Sequence, residues 1–407
     1  MLDASSARRS MTGRRLVALR LGLALASTLF ALGLVEGGLR FVEAKYMRLV
    51  KGGEQRLSDP LLGERVAPGT RGYDRAGFRN PVALDRAEIV VFGDSQTWGV
   101  NVSPAEAWPL VLAQRSGRTV YNMAIGGYGP VQYLVLTDAA LRLSPRVLVV
   151  GIYFGNDLWD AYKIAYTLPA HADLTRPDLR HRIAHDTVGP RAGELWDEEK
   201  GFQQRYGHGS LRHLPLWLQG HTAIGRFLER SGILGRRLAF WEASRAWAEA
   251  HPDHGAVYDE PTTRTVLTTA YRLVALDLDE PRIAEGLRIT CEVVRRIQRK
   301  CDPAGVRLLV VLIPTKEAVY ADAVRRRSGH LNPTYERLVA MEGRARDRLI
   351  RTCEETEIPY LDILPIFRAA LARGEALYPP DTESHPNAAG YRTLAAAVDD
   401  RLRQLGW

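Results

Sequence analysis

Five short, continuous apolar runs rich in β-branched residues constrain this chain more than any other feature: 88–92, 119–124, 146–154, 307–315 and the weaker 359–364. A strand with one wet face alternates polar and apolar residues; a strand without alternation is buried on both faces, as in a parallel sheet. Between these runs lie stretches with apolar residues at intervals of three and four, the spacing of amphipathic helices: 104–114, 131–143, 282–299, 335–355 and a last one at 388–405. Strand and helix in alternation imply right-handed crossovers, and so an α/β fold with a mostly parallel five-stranded sheet covered on both faces. The expected domain spans 87–405.

The alternation fails between 158 and 279, which mixes Trp, Tyr, His and Arg with Pro and Gly and has its clearest helical piece at 223–250. Such a length is too great for a plain loop. We read it as a helical insertion over one end of the sheet, either a lid or substrate platform or a purely structural elaboration.

At the amino end, residues 16–35 are apolar apart from Arg20, about the 20 residues needed to cross a bilayer. Arg8, Arg9, Arg14 and Arg15 precede them, and a positive flank stays in the cytoplasm. The expectation is a cytoplasmic tail at 1–15, a signal anchor embedded in the lipid bilayer at 16–38, a Gly-, Arg- and Pro-rich stalk at 39–86, and export of the rest. Ala24-Leu25-Ala26 resembles a cleavage site, but the apolar run continues past it through Val35, which favours an anchor over a cleaved peptide.

The 407 residues carry a formal charge of +8, part of it in that arginine tail, so charge gives little support for a nucleic-acid partner. No zinc-finger, RNP-like or helix-turn-helix pattern adds to it. Cys291, Cys301 and Cys353 are too few and too irregular for a disulfide scaffold or a zinc site. Buried free thiols are the favoured reading, with Cys301–Cys353 the pairing if one forms. No metal or organic cofactor is expected.

Four features fall at the carboxyl ends of the expected strands or just after the last one. Gly93-Asp94-Ser95 follows the first strand, where a serine projects from the ligand-bearing edge and a following helix offers free N–H groups to developing negative charge. An N-cap serine or a phosphate-binding turn has the same local look. Gly126-Gly127 ends the second strand and lets backbone approach a ligand closely, although an ordinary turn does so too. Asn156, in Gly155-Asn156-Asp157 after the third, has an amide able to donate to an oxygen, or to close an Asx turn. His385, in Asp381-Thr382-Glu383-Ser384-His385, sits beside acidic groups, as a general base for a serine requires.

In this order the four segments resemble the conserved blocks of the SGNH/GDSL hydrolase family. The resemblance implies a three-layer α/β/α flavodoxin-like fold and a serine esterase or acyltransferase in which Ser95 is the nucleophile and His385 the base. It implies an oxyanion hole formed by the Ser95 N–H, the Gly127 N–H and the Asn156 side chain. The family usually has an aspartate three residues before the histidine, or two before it in some exopolysaccharide acyltransferase-like branches. Those positions here hold Thr382 and Glu383, so Glu383 is the favoured orienting acid and Asp381, four before, the fallback. Gly77-Phe78-Arg79 and 313–320 look like segments of membrane-anchored family members in bacterial surface-polysaccharide systems, including relatives of alginate O-acetylation proteins. That likeness implies an acylated glycan or small ester as substrate and polysaccharide-biosynthesis machinery as a partner. Lys316 falls at the ligand-bearing edge as a candidate substrate contact, or as a solvated loop lysine. The alternative from another class is a glycan-binding or assembly protein that kept the fold without the chemistry.

Overall fold

The computed structural model describes residues 17, 19–40, 55–70, 72–179, 224 and 236–407. The chain divides into two compact units, one formed by 1–52 with 207–239 and the other by 53–206 with 240–407.

In the first unit, helix α1 (Leu19–Arg40) is 22 residues long with a mean hydropathy of 1.6. Leu19, Leu23 and Phe30 each expose about 70% of their surface, so nothing among the described residues covers them. At 1.5 Å per residue its length matches the roughly 30 Å of a bilayer core, although a signal sequence passes the same test. The expected cytoplasmic tail and residues 41–54 of the stalk lie outside the described residues.

The second unit carries the sheet. A small antiparallel pair, β1 (Arg56–Asp59) and β2 (Gly63–Val66), leads into β3 (Ile89–Phe92). A one-turn helix α2 (Ser95–Trp98) follows, then α3 (Trp108–Ser116), β4 (Val120–Asn122), α4 (Pro130–Leu141), β5 (Val147–Tyr153) and α5 (Asp157–Thr167). Beyond α6 (Arg236–Ala250), a hairpin of β6 (Ala256–Asp259) and β7 (Arg264–Leu267) precedes α7 (Thr269–Val274). The alternation resumes with α8 (Pro281–Cys301), β8 (Arg307–Ile313), α9 (Lys316–Ser328), α10 (Pro333–Glu355), β9 (Tyr360–Asp362), α11 (Leu364–Ala372) and α12 (Ala388–Gln404).

The five long-range strands pair in the order β4-β3-β5-β8-β9, parallel throughout. This is the flavodoxin-like order. Because the chain steps outward from β3 to β4 and then back across to β5, right-handed crossovers send their helices to opposite faces. Helix α3 packs with α12, while α4 and α5 pack with α8. Every residue of β3 and β5 is buried, as is β8 from Leu308 on, which accounts for their unbroken apolar sequences. Each aliphatic side chain so buried contributes roughly 1.5–3 kcal/mol.

The stretch expected to be a helical insertion differs in the structure. The stretch 158–279 begins with α5, a layer helix packed on α8 rather than part of an insertion. Its later part holds the β6–β7 hairpin, whose four-residue strands carry too little pattern to be read. Of the helical piece expected at 223–250, the structure gives α6 from Arg236; residues 180–223 and 225–235 lie outside the described residues. The three cysteines are free and buried, which is the favoured reading rather than the Cys301–Cys353 pairing, and burial pushes the thiols of Cys301 and Cys353 up to about 12.

The α5–α8 contact depends on Gly286. A Cβ there would stand 1.8 Å from the Leu158 carbonyl oxygen, a backbone atom that cannot swing aside. Gly286→Ala is therefore expected to destabilise the domain by about 3 kcal/mol, the upper end for overpacking. Thermal unfolding followed by circular dichroism reads this directly, and an unchanged midpoint would contradict the spacing of these helices.

Candidate active site

Strands β3, β4 and β5 all end at the same edge of the sheet, and between β3 and β5 the winding reverses. Outside the carboxyl ends of strands at such a point, open α/β sheets have their ligand crevice. Ser95 follows β3, Gly126 and Gly127 follow β4, and Asn156 follows β5.

Ser95 is the first residue of α2, behind Asp94 as N-cap, whose Oδ1 accepts from the Gln96 N–H at 2.9 Å. With only four residues, α2 has little macrodipole, so the expected help from a following helix reduces to individual N–H groups. Arg79 closes the other end of this turn. Its guanidinium donates to the carbonyls of Trp98, Gly99 and Val102 at 3.0, 2.5 and 2.8 Å and stacks 3.9 Å from the centre of the Trp98 ring. The turn that carries Ser95 is thus held at both ends.

His385 lies on the loop before α12, whose N-cap Asn387 accepts from the Ala389 and Gly390 N–H groups. Its Nε2 stands 2.8 Å from Ser95 Oγ, and its Nδ1 stands 2.5 Å from Glu383 Oε1. The same carboxylate oxygen accepts from the His385 N–H at 3.0 Å. Burial would raise the Glu383 pKa, but hydrogen bonds from the His385 ring and backbone, the charge of that ring and the nearby Lys316 outweigh it, leaving Glu383 at about 2. Asp381 does not reach the ring; its Oδ1 accepts from the Glu383 N–H at 2.9 Å and closes the turn that aims Glu383. Two side chains tie this loop to the segment that follows β3, Asn101 donating to the His385 carbonyl at 3.2 Å and Gln96 to that of Ser384 at 3.5 Å.

Gly127 takes φ +87°, a conformation only glycine adopts at no cost. Its neighbour Gly126 lies closer to the serine, since a Cβ there would sit 3.8 Å from that of Ser95. Asn156 caps α5, and its Nδ2 donates to Asp160 Oδ2 at 2.7 Å. Sequence reasoning overlooked Asp160, although the i, i+4 spacing of amide and carboxyl on one helix was a usable signal. Burial raises Asp160 to about 7, and burial likewise raises Asp94 and, further, Asp157. Carboxyls shifted toward their neutral forms repel a developing oxyanion less.

Lys316 is not at the surface of this crevice. Its side chain is fully buried and donates to Thr265 Oγ1 and to the carbonyls of Val266, Asp381 and Glu383. The expected substrate contact is corrected: an ammonium enclosed by four protein acceptors has no face left for a ligand.

No family model matches the chain, and no curated protein matches it. Solved structures do. One is named as a lipolytic protein of the G-D-S-L family from Desulfitobacterium hafniense: 12% identity, 78% of this chain and 100% of that one covered, TM-score 0.37. Another is a catalytic mutant of an acetylxylan esterase from Geobacillus stearothermophilus: 12% identity, 80% and 96% covered, TM-score 0.34. A third is a GDSL-like lipase from Bacteroides thetaiotaomicron: 10% identity, 78% and 88% covered, TM-score 0.31. With superpositions this loose, the chemistry of the site is read from its own atoms.

Proposed function

We propose that this chain is a membrane-tethered serine enzyme of the SGNH/GDSL type that transfers acyl groups from esters, with an extracytoplasmic glycan as the favoured substrate. The observation that carries the proposal is the relay Ser95 Oγ to His385 Nε2 at 2.8 Å and His385 Nδ1 to Glu383 Oε1 at 2.5 Å, at a sheet's switch point.

In the proposed reaction Ser95 Oγ attacks the ester carbonyl while His385 Nε2 takes its proton, and Glu383 stabilises the imidazolium through Nδ1. The oxyanion accepts from the Ser95 N–H, a backbone N–H of the Gly126-Gly127 turn and Asn156 Nδ2. The imidazolium gives its proton to the leaving alcohol, and an acyl-enzyme remains. His385 then deprotonates the second nucleophile, water in an esterase or a sugar hydroxyl in an O-acetyltransferase, which releases the acyl group and restores Ser95. Both outcomes use the same residues. The polysaccharide setting rests on the resemblance of the Gly77-Phe78-Arg79 and 313–320 segments alone. The binding-protein alternative drew its support from the irregular acid position, and the contact of Glu383 with the ring removes that support.

A fluorophosphonate probe on the full chain, followed by mass mapping, tests the chemistry: the expected adduct is on Ser95, and an unmodified Ser95 under saturating probe refutes it. Topology has its own test. The arginine-rich tail before α1 predicts export of the catalytic unit. A reporter fused after Leu61 is expected to work only if it functions outside the cytoplasm, and activity of a cytoplasm-only reporter there would reverse the orientation.

A further inference from the structure

A lysine side chain is seldom wholly buried, and it stays so only where its N–H groups are all received. Lys316 is the first residue of α9, capped by Thr315, whose side chain accepts from the Ala318 N–H at 3.1 Å. From that fixed base its Nζ reaches Thr265 Oγ1 at 3.1 Å, the Val266 carbonyl at 2.7 Å, and the Asp381 and Glu383 carbonyls at 3.0 Å each. The first two belong to β7 and the last two to the loop that bears the acid and the base.

Thr265 Oγ1 also lies 3.0 and 3.1 Å from the Pro379 and Asp381 carbonyls, and the Val266 N–H donates to Asp381 O at 3.3 Å. Arg272, from α7, donates to Ser384 Oγ. The residue following Lys316 extends the same bracing: Glu317 is fully buried and accepts from the Thr268 N–H at 2.9 Å. Segments far apart in sequence, β7, α7 and the start of α9, therefore converge on residues 379–384.

We infer that Lys316 is a positioning residue for the catalytic acid: by holding the Asp381 and Glu383 carbonyls it fixes the backbone from which Glu383 reaches His385. A glutamate has one more rotatable bond than the aspartate usual at such a position, so its carboxylate is well placed only if its backbone cannot shift. Misplacement of a catalytic group by about 1 Å costs on the order of a hundredfold in rate. Binding of a small ester is expected to be unaffected, since the buried Lys316 has no face left for a ligand.

The inference rests on the proposed roles of Ser95, His385 and Glu383. The test uses the full chain in detergent micelles, comparing Lys316→Met with wild type, alone and combined with Glu383→Gln. On an aryl acetate, Lys316→Met is expected to lower kcat about a hundredfold with KM within about twofold, and to add little once Glu383 is already Gln. Equal losses in both backgrounds would overturn the inference, since the damage would not pass through Glu383. A second readout is independent of activity: the proton between His385 Nδ1 and Glu383 should resonate far downfield in wild type and vanish in Glu383→Gln and in folded Lys316→Met. Its survival in Lys316→Met would overturn the inference even if wild type neither hydrolyses esters nor labels at Ser95, a result that refutes the proposed function separately. Should Lys316→Met fail to fold, Thr265→Val removes one acceptor and two loop contacts at nearly constant volume. It is expected to shift the same resonance and lower kcat in the same manner, and wild-type behaviour there would overturn the inference.

Discussion

Ser95→Ala is expected to abolish hydrolysis of a short-chain aryl acetate, by roughly 10⁴-fold or more, while leaving the unfolding midpoint unchanged. The hydroxyl makes two contacts, 2.8 Å to His385 Nε2 and 3.3 Å to Asp94 Oδ2, and neither holds the fold together. Asp94 keeps its cap on the Gln96 N–H without it, and Arg79 still clamps the carbonyls beyond. Alanine suits the first position of a helical turn. Loss of rate with an intact fold is the signature of a removed nucleophile. Retention of more than about one part in a hundred would direct the search to another nucleophile, because the remaining site offers binding and oxyanion donors but nothing to acylate.

The sheet was legible because strands buried on both faces must be apolar throughout, and the five runs coincide with β3, β4, β5, β8 and β9 to within two residues at every end. Helix α9 was not. Its sequence, KEAVYADAVRRRS, begins with two charged residues that the structure buries, so no apolar stripe announces it. The β6–β7 hairpin escaped for a related reason, since its strands are held by tertiary bonds to 379–381 rather than by a pattern of their own. Ser95, Asn156 and His385 could be singled out because each stands where the sheet's geometry needs it. Lys316 could be singled out but not interpreted: the carbonyls that enclose it come from 50, 65 and 67 residues away. A lysine at a strand's carboxyl end reads as wet until those partners are known. The two buried neighbours Lys316 and Glu317 would have looked, in sequence, like an ordinary solvated helix start.

The acid is where this chain departs most from the pattern it resembles, and the two candidates separate sharply. Glu383→Gln is expected to lower the rate by at least about a hundredfold, because an amide at that position can still accept from the imidazole but cannot stabilise the imidazolium formed as Ser95 attacks. The wild-type carboxylate is ionised at every pH where the assay is practical: hydrogen bonds and charge from His385 and Lys316 overcome its burial and hold it at about 2. Acidification down to pH 4 should therefore not mimic the substitution through Glu383. Asp381→Asn is expected to cost much less, since the Asp381 Oδ1 that accepts from the Glu383 N–H survives in the amide, and its backbone carbonyl stays bound to Lys316. Matched kcat/KM values for both variants on one aryl acetate decide the matter. A larger loss from Asp381→Asn would mean that the turn, not the carboxylate at the ring, limits the rate. If both changes are silent while Ser95→Ala is inactive, His385 works without an acid, and the 2.5 Å contact to Glu383 is structural.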